Sequence, residues 1–464
     1  MGRFVAGALL SFLPLVFVHD GAAASRPNGA RRAFEERLLG VLASRGRLTA
    51  AEAAAIAAGG QGDDARVSLE AEIDRLLRTR GPATPGEDEF RAGYRDGFTV
   101  SDAANRFEIR FRALLQFRYE AIDTEGGVSE ASAVLDQDRG ALARPATTDT
   151  QSLSLRRARL FATGHVFDPD LVYRIFVEAQ NEAVSLQDAF VEYAGFAPLR
   201  LRAGQFKVPM GREALSSSSE LPFNERSRVT TFFAPARDGG AGVIAHGAGF
   251  GAGSDLLEGS VGAFDGEGKN VSGNDGPGLL YSGRLVLNPL GSPGPETFDT
   301  ARFESPRAAM GAAVTHLSDA AGAVRFADGT SVSLRHPGTT VVGIEAAAKW
   351  LGATLQGEAF RSRVDPEGSD SGDIESRGAY ATAAYVLPGG DVGFAFRYGE
   401  VLTEESDVLS TPSGRFDEWS VGATWFIRGT AAKVLLDWTR YGESVRGEER
   451  IEDDAVRLQL QVAF

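Results

Sequence analysis

The feature that most constrains this chain is a two-residue alternation carried through segment after segment. In NRFEIRFRALLQFRYEA (105–121) the odd positions are Phe107, Ile109, Phe111, Ala113, Leu115, Phe117 and Tyr119. The even positions are Arg106, Glu108, Arg110, Arg112, Leu114, Gln116 and Arg118. A strand turns successive side chains to opposite faces, so this one is oil on one side and almost all salt on the other. The closing VRLQLQVAF repeats the pattern, with Val456, Leu458, Leu460, Val462 and Phe464 against Arg457, Gln459 and Gln461. LVYRIFVEAQ sets Tyr173, Ile175 and Val177 against Arg174, Glu178 and Gln180, and EWSVGATW sets Trp419, Val421, Ala423 and Trp425 against Glu418, Ser420 and Thr424. A soluble sandwich of such long strands would leave many aromatic rings in water. Lipid on one face and a watery lumen on the other suits both halves of the pattern.

About sixteen such segments fall near 105–121, 151–166, 171–181, 185–195, 199–209, 240–250, 256–266, 279–289, 307–317, 340–349, 352–363, 375–388, 391–401, 416–428, 431–443 and 453–464. Each has the length of a tilted membrane strand. Connections alternate between tight turns (167–170, 196–198, 350–351, 388–390, 429–430) and long links (122–150, 210–239, 318–339, 365–374, 402–415). Residues 105–464 therefore read as an all-β protein, a sixteen-stranded antiparallel transmembrane β-barrel with both ends on the periplasmic side. One connection breaks the rule. The Pro/Gly-rich link Leu290 to Ser305 stands where a short turn belongs, either as an insertion or because the register shifts there. With 43% hydrophobic residues and, beyond the N-terminal leader, no run of 18 apolar residues, a helical membrane protein is excluded.

The N-terminus differs. MGRFVAGALLSFLPLVFVHDGAAAS has a basic start, an apolar core and small residues at Ala22–Ala24, the pattern of a signal peptide over 1–24. Residues 25–81 read as a periplasmic helical segment, with a Thr49/Glu52 capping box and a Gly59-Gly60 stop. Leu69, Ile73 and Leu76 lie at helical spacing there and fit a short coiled coil or a helical hairpin alike. Residues 82–104 read as a linker. The expected location is the bacterial outer membrane, reached by export.

Composition removes several functions. With no Cys and only 5 His, neither a disulfide frame nor a Cys/His metal site is expected, and no cofactor is called for. His165, His246, His316 and His336 lie in no recognisable nucleophile context, and the serines 216–219 sit in a loop, so catalysis is not expected. A net charge of -15 on an exported chain argues against nucleic acid. The acidic links, six acids to two bases over 122–150, are either plain solvated loops or hold divalent cations that bridge to lipopolysaccharide phosphates.

A barrel this wide holds a water-filled channel, so its working part should be a constriction. The long link after 199–209 is the candidate. Between Arg200 and Gly240 stand seven bases (Arg200, Arg202, Lys207, Arg212, Arg226, Arg228, Arg237) and four acids (Glu213, Glu220, Glu225, Asp238), a local +3 in an acidic chain. Arg110, Arg112, Arg157 and Arg159 share the lumen parity of their strands, as do Arg118 and Arg174. Guanidinium matches phosphate oxygens and stays charged at any relevant pH. The lumen also holds Glu108, Glu178, Asp188 and Glu192, so the arginines either form an anion path or only set a transverse field. Lys207 has the wrong parity relative to Arg200 and Arg202, which points to a bulge.

GQFKVPMGREALSSSSELPFNERS (204–227), then APARDGG (234–240), resembles the phosphate-selective porin O and P family, and the preceding LQDAFVEYAGFAPLRLRAGQFK fits it too. The resemblance implies a trimeric sixteen-stranded channel passing phosphate or polyphosphate along arginines and a few constriction lysines. Here lysines are scarce. The terminal pattern ending on Phe resembles the signal read by the barrel assembly machinery. The expected partners are thus inorganic phosphate or other small anions, outer-membrane lipid and lipopolysaccharide, that machinery, and further copies in a homotrimer.

Overall fold

The computed structural model describes residues 90–464 except 95, 125–149, 181–182, 197–198, 236, 246–254, 272–277, 319–320, 326–330, 336–337, 366–373, 404–413 and 446–449. The leader, the helical segment and most of the 122–150 link lie outside the described residues.

A short hairpin, β1 (Phe90–Tyr94) and β2 (Phe98–Asp102), precedes the first long strand, β3 (Glu108–Thr124). Then come β4 (Thr150–Val166), β5 (Asp168–Gln180), β6 (Ala183–Phe196), β7 (Leu199–Lys207), β8 (Arg237–Ala245), β9 (Leu257–Phe264), β10 (Leu280–Leu287) and β11 (Arg307–Leu317). A detached hairpin, β12 (Ala321–Arg325) and β13 (Ser331–Arg335), sits in the next link. The sheet resumes with β14 (Gly338–Trp350), β15 (Ala353–Asp365), β16 (Ile374–Val386), β17 (Val392–Thr403), β18 (Gly414–Arg428), β19 (Ala432–Val445) and β20 (Ile451–Ala463). Strands β3–β11 and β14–β20 form a closed antiparallel barrel of sixteen. The seam is β20 against β3, from Asp453↔Thr124 to Ala463↔Leu114. Phe464 continues it, exchanging backbone hydrogen bonds with Ala113 at 2.7 and 3.0 Å.

Closure follows from the medium. Lipid offers no partner for a backbone N–H or C=O, so an open edge at membrane depth is forbidden. The sixteen segments read from the sequence all appear, their ends shifted by a few residues. Residues 82–104, read as a linker, hold β1 and β2; β2 pairs with β3 at Phe98↔Phe111 to Ser101↔Glu108, the stretch of β3 that β20 does not reach. Five-residue strands were too short for the alternation to mark.

Outward side chains are apolar through the middle of the wall, and rings collect at the turn end: Phe167, Phe196, Trp350, Tyr385, Trp425 and Phe464 are all exposed. That is the girdle of a membrane boundary. The β14–β15 turn is two residues, Leu351 (φ 51°) and Gly352 (φ 92°). Both central residues at positive φ match the twist of the flanking strands, and the Gly tolerates it best.

The link between β10 and β11 settles the register question. Both strands keep unbroken pairing with their neighbours, so nothing is missing, and residues 288–306 are an insertion that folds into the barrel from the turn end. Phe298 is buried with Phe223, Ala384, Val386, Ala395 and Phe426. Asp299 Oδ2 accepts from Gly352 N at 2.7 Å, Phe303 O accepts from Leu351 N at 3.0 Å, and Arg302 donates to Val386 O.

If the outward face is the lipid face, a charge at mid-wall must be costly. Leu436, opposite Ala423 and Leu458, is such a position. Leu436→Arg should lower barrel stability by about 2–4 kcal/mol in urea unfolding from lipid vesicles; a change under about 0.5 kcal/mol would place this face elsewhere.

Candidate functional site

Between β7 and β8 the chain turns into the barrel. Residues 208–235 carry two short helices, α1 (Arg212–Leu215) and α2 (Arg228–Phe233). Val208, Met210, Leu221, Phe223 and Val229 are at most 1% exposed, so this link is packed inside rather than waving in water. Phe233 stacks on Phe360 at 5.6 Å, and Met210, Val229 and Tyr380 join the same cluster.

The wall opposite β7 holds the loop by its main chain. Glu358 of β15 accepts from Arg212 N (2.5 Å) and Glu213 N (3.0 Å), Glu418 of β18 from Arg228 N (3.1 Å), and Asp437 of β19 from Asn224 N (2.6 Å). A buried carboxylate needs donors, and orphan N–H groups of a loop need acceptors, so each satisfies the other. Arg397 of β17 adds bonds to Glu225 O (3.1 Å) and to Glu213 Oε1 (3.4 Å). Lys433 of β19 reaches Leu221 O at 3.2 Å.

The nominated basic residues fall into two groups. Lys207 Nζ donates to the carbonyls of Ala214, Leu215 and Ser216 at 2.7–2.9 Å, covering the C-terminal end of α1, where a cation is favoured. The register with β8 runs unbroken and that with β6 shifts only between Tyr193 and Phe196, opposite Leu201 and Leu199, so the extra residue lies on β6 and not beside Lys207, where strand parity predicts it; nearer Lys207, Gly204 takes φ 127°, and its absent Cβ would lie 2.2 Å from Ala189 O. Arg226 donates to Glu213 O (3.2 Å) and Ser216 O (2.8 Å). Arg212 donates to Gly294 O of the turn-end insertion, and the Arg228 guanidinium lies 4.4 Å over the Tyr441 ring. These four hold the fold of the loop. Ser216 Oγ (to Pro295 O, 2.9 Å) and Ser218 Oγ (from Arg159, 2.5 Å) are structural links as well.

The second group lines β3–β8. A register shift between Gln116 and Phe117 leaves Arg156 as an extra residue, so Arg156 and Arg157 are both buried on the lumen side. With Arg118 they converge on one carboxylate, Glu225 of the loop: Arg118 donates to it directly, Arg156 lies at 3.3 Å and Arg157 at 3.8 Å. Burial would push the Glu225 carboxyl up, but the surrounding guanidiniums of Arg156, Arg118 and Arg157 outweigh it and hold it well below the usual carboxylate range. Glu178 is shared by Arg157 and Arg159, Asp188 by Arg174 (3.0 Å) and Arg237 (2.5 Å), and Glu192 by Arg200 and Arg202. Nearer the turn end Arg110 pairs with Glu108 at 3.0 Å and Arg112 with Asp96 at 3.3 Å. Each of these four shared carboxylates serves at least two arginines.

Exposure divides this wall. The side chains of Arg118, Arg156 and Arg157 are 1–3% exposed, whereas those of Arg112, Arg174 and Arg202 keep 38%, 33% and 23%. The accessible ones lie against inward aromatic rings: Arg202 is 4.2 Å from Phe190, Arg174 is 5.4 Å from Phe161, and Arg237 is 5.3 Å from Phe176. Phe161 and Phe176 are stacked at 4.4 Å. These rings were passed over because phenylalanine suggests lipid; their parity, shared with Arg157 and Arg159 on β4 and with Arg174 on β5, was the signal. Arg397 at the lumen parity of FAFRYGE was equally readable.

A closed sixteen-strand barrel, girdled for a membrane and entered by an infolded loop, defines an outer-membrane porin, a channel for small solutes. The family model described as phosphate-selective porin O and P matches residues 135–464, and the chain belongs to that family. Among solved structures, the chain is similar to the outer membrane channel DcaP of Acinetobacter baumannii, at 12% identity and TM-score 0.52, over 79% of this chain and 99% of that one. It also resembles an anion-selective porin from Comamonas acidovorans, at 11% identity and TM-score 0.48, over 77% and 100%. No curated protein matches.

Glu225→Gln leaves three guanidiniums without their common carboxylate. It should cost about 2–3 kcal/mol, short of the ~3–5 kcal/mol of a sealed pair because 28% of the Glu225 side chain is open. Since the carboxyl is depressed, its contribution is fully present above the ordinary carboxylate range and fades only as pH falls through the depressed value. Thermal unfolding should therefore separate wild type from variant at pH 7 and still at pH 5; equal transitions would remove Glu225 as the anchor.

Proposed function

We propose that the protein is a passive outer-membrane channel preferring small anions, inorganic phosphate among them. One observation carries the reading: the arginines of β3–β8 outnumber the carboxylates they share. A wall with excess guanidinium raises the local anion concentration and replaces part of a lost hydration shell. Accessibility assigns the roles. Arg112, Arg174, Arg202 and Arg237, with Arg110 beside them, are the groups a solute meets. Arg157, Arg159, Lys207, Arg212, Arg226 and Arg228 hold the loop and wall in shape. The aromatic rings beneath the first group keep the guanidiniums extended, so little side-chain freedom remains to be lost when an anion arrives. The family supports this preference, and a signal peptide at 1–24 and a homotrimer belong to the same proposal.

A second reading has its own support. The carboxylates Glu178, Asp188 and Glu192 lie within the arginine rows, while Glu345, Glu358 and Glu418 are buried on β14, β15 and β18. Opposed charge of this kind sets a transverse field in a general porin without a site for any one ion.

Reversal potential in a planar bilayer under a KCl gradient separates the two, followed by chloride conductance as phosphate is added. Wild type should reverse on the anion side and lose chloride current to phosphate. Arg174→Glu with Arg237→Glu should move the reversal towards cations, whereas Arg157→Gln should leave selectivity in place and lower thermal stability. Near-zero reversal without block would leave the general porin.

A further inference from the structure

The lumen face of a barrel strand is ordinarily polar, yet one stretch of this inner wall is aromatic. Phe161 of β4 and Phe176 of β5 stand directly opposite each other in the ladder and stack at 4.4 Å, with 22° between their planes. Rings that stack in the direction from strand to strand must stand up from the wall, so their edges point into the lumen rather than their faces. Phe176 is buried beneath its neighbours, while Phe161 is only half-buried. Phe190 of β6, opposite Arg174 in the ladder, is half-buried as well.

Guanidiniums flank these rings. Arg112, opposite Phe161 on β3, lies 5.7 Å from its centroid, and Arg174 lies 5.4 Å from it on another side. Arg202 lies 4.2 Å from Phe190. All charges of the stretch enter the balance. Arg112 pairs with Asp96, Arg174 and Arg237 share Asp188, Arg200 and Arg202 share Glu192, and Arg110 answers Glu108. Two of these carboxylates are thus divided between two bases each. Arg112 gives Asp96 one hydrogen bond, at 3.3 Å, of the five that a guanidinium can donate.

The strip stands just past the infolded loop. Arg159, two residues before Phe161, donates to Ser218 of that loop, and the strand then runs on to the turn end at Val166. A solute that leaves the aperture on the turn side meets the strip next.

We propose that this strip recognises aromatic carboxylates, so that flat, ring-bearing organic anions are substrates of the channel. The carboxylate takes Arg112 or Arg174 by a charge-assisted hydrogen bond. The ring of the solute lies across the upturned edge of Phe161 and passes on to Phe190. A phenyl edge is slightly positive and a π face slightly negative, so edge against face is the favoured approach. A short aliphatic carboxylate gains the first contact without the second. Rings that served only to prop the guanidiniums would give a ring-bearing anion no advantage. The proposal rests on the anion preference of the channel and adds the class of anion.

The test is the concentration at which acetate, cyclohexanecarboxylate and benzoate, all singly charged at pH 7, halve the chloride current of the full chain in a planar bilayer. Benzoate should do so at a concentration ~10-fold below acetate, with cyclohexanecarboxylate between them. This comparison uses wild type alone. Phe161→Leu with Phe190→Leu should erase the preference for benzoate over acetate, read as a ratio within the variant so that any change in its conductance cancels. Arg112→Gln with Arg174→Gln should weaken all three anions together. Equal half-block by benzoate and acetate in wild type would overturn the proposal, as would a benzoate preference that survives in the double phenylalanine variant. Cyclohexanecarboxylate acting as well as benzoate would overturn recognition of the aromatic ring, in favour of apolar bulk. Reversal on the cation side before any carboxylate is added would remove this proposal together with the anion preference; anion-side reversal with equal half-block removes this one alone.

Discussion

Every backbone amide of this barrel must find a partner within the protein, and that requirement governs more than the membrane strands. In the wall it produces a ladder that runs round without an edge, through β20 and back to β3. In the lumen it produces the loop. Residues 208–235 contain only two short helices, so many of their N–H and C=O groups have no regular partner. The barrel supplies partners from side chains: carboxylates of β15, β18 and β19 for the amides, and Arg397 and Lys433 for the carbonyls. Buried charge in the lumen is thus first of all a means of ordering irregular backbone.

This explains why two arginines of the same parity do different work. Arg157 and Arg174 both point inward on neighbouring strands. One is sealed beneath Glu225, the other stands half open beside Phe161. What separates them is the loop, which covers one part of the wall and leaves another part to water. Charge on a barrel wall becomes available to a solute only where nothing else claims it. The division of labour in the channel therefore follows from the path of a single connection.

The strands, their order and their facing were legible in the sequence because a period of two survives any tilt or twist. The infolded loop was legible from its length and local charge. Three things were not. The bulge that makes both Arg156 and Arg157 face inward cannot be read from one strand, since it is a mismatch between two. The hairpin of β1 and β2 is too short to show a period. The pairing of Glu225 with three arginines spans more than a hundred residues of sequence for Arg118 and is set by where the loop tip lands. The 288–306 insertion was visible as an anomaly, but its inward path depends on contacts made by Phe298 and Asp299 with strands up to 128 residues away, which composition does not encode.

The loop tip lands across the seam. Asn224 and Glu225 reach Arg118 on β3 and Asp437 on β19, and Ser219 O accepts from Gln461 on β20, so the tip joins the first long strand of the barrel to the last two. These partners become neighbours only once β20 has found β3 across more than three hundred residues of chain, the kind of distant pairing that comes late in folding. The loop can take its final shape only after that meeting. Until the circle is complete there is a wall but no aperture, and an unfinished barrel has no working passage through which to leak.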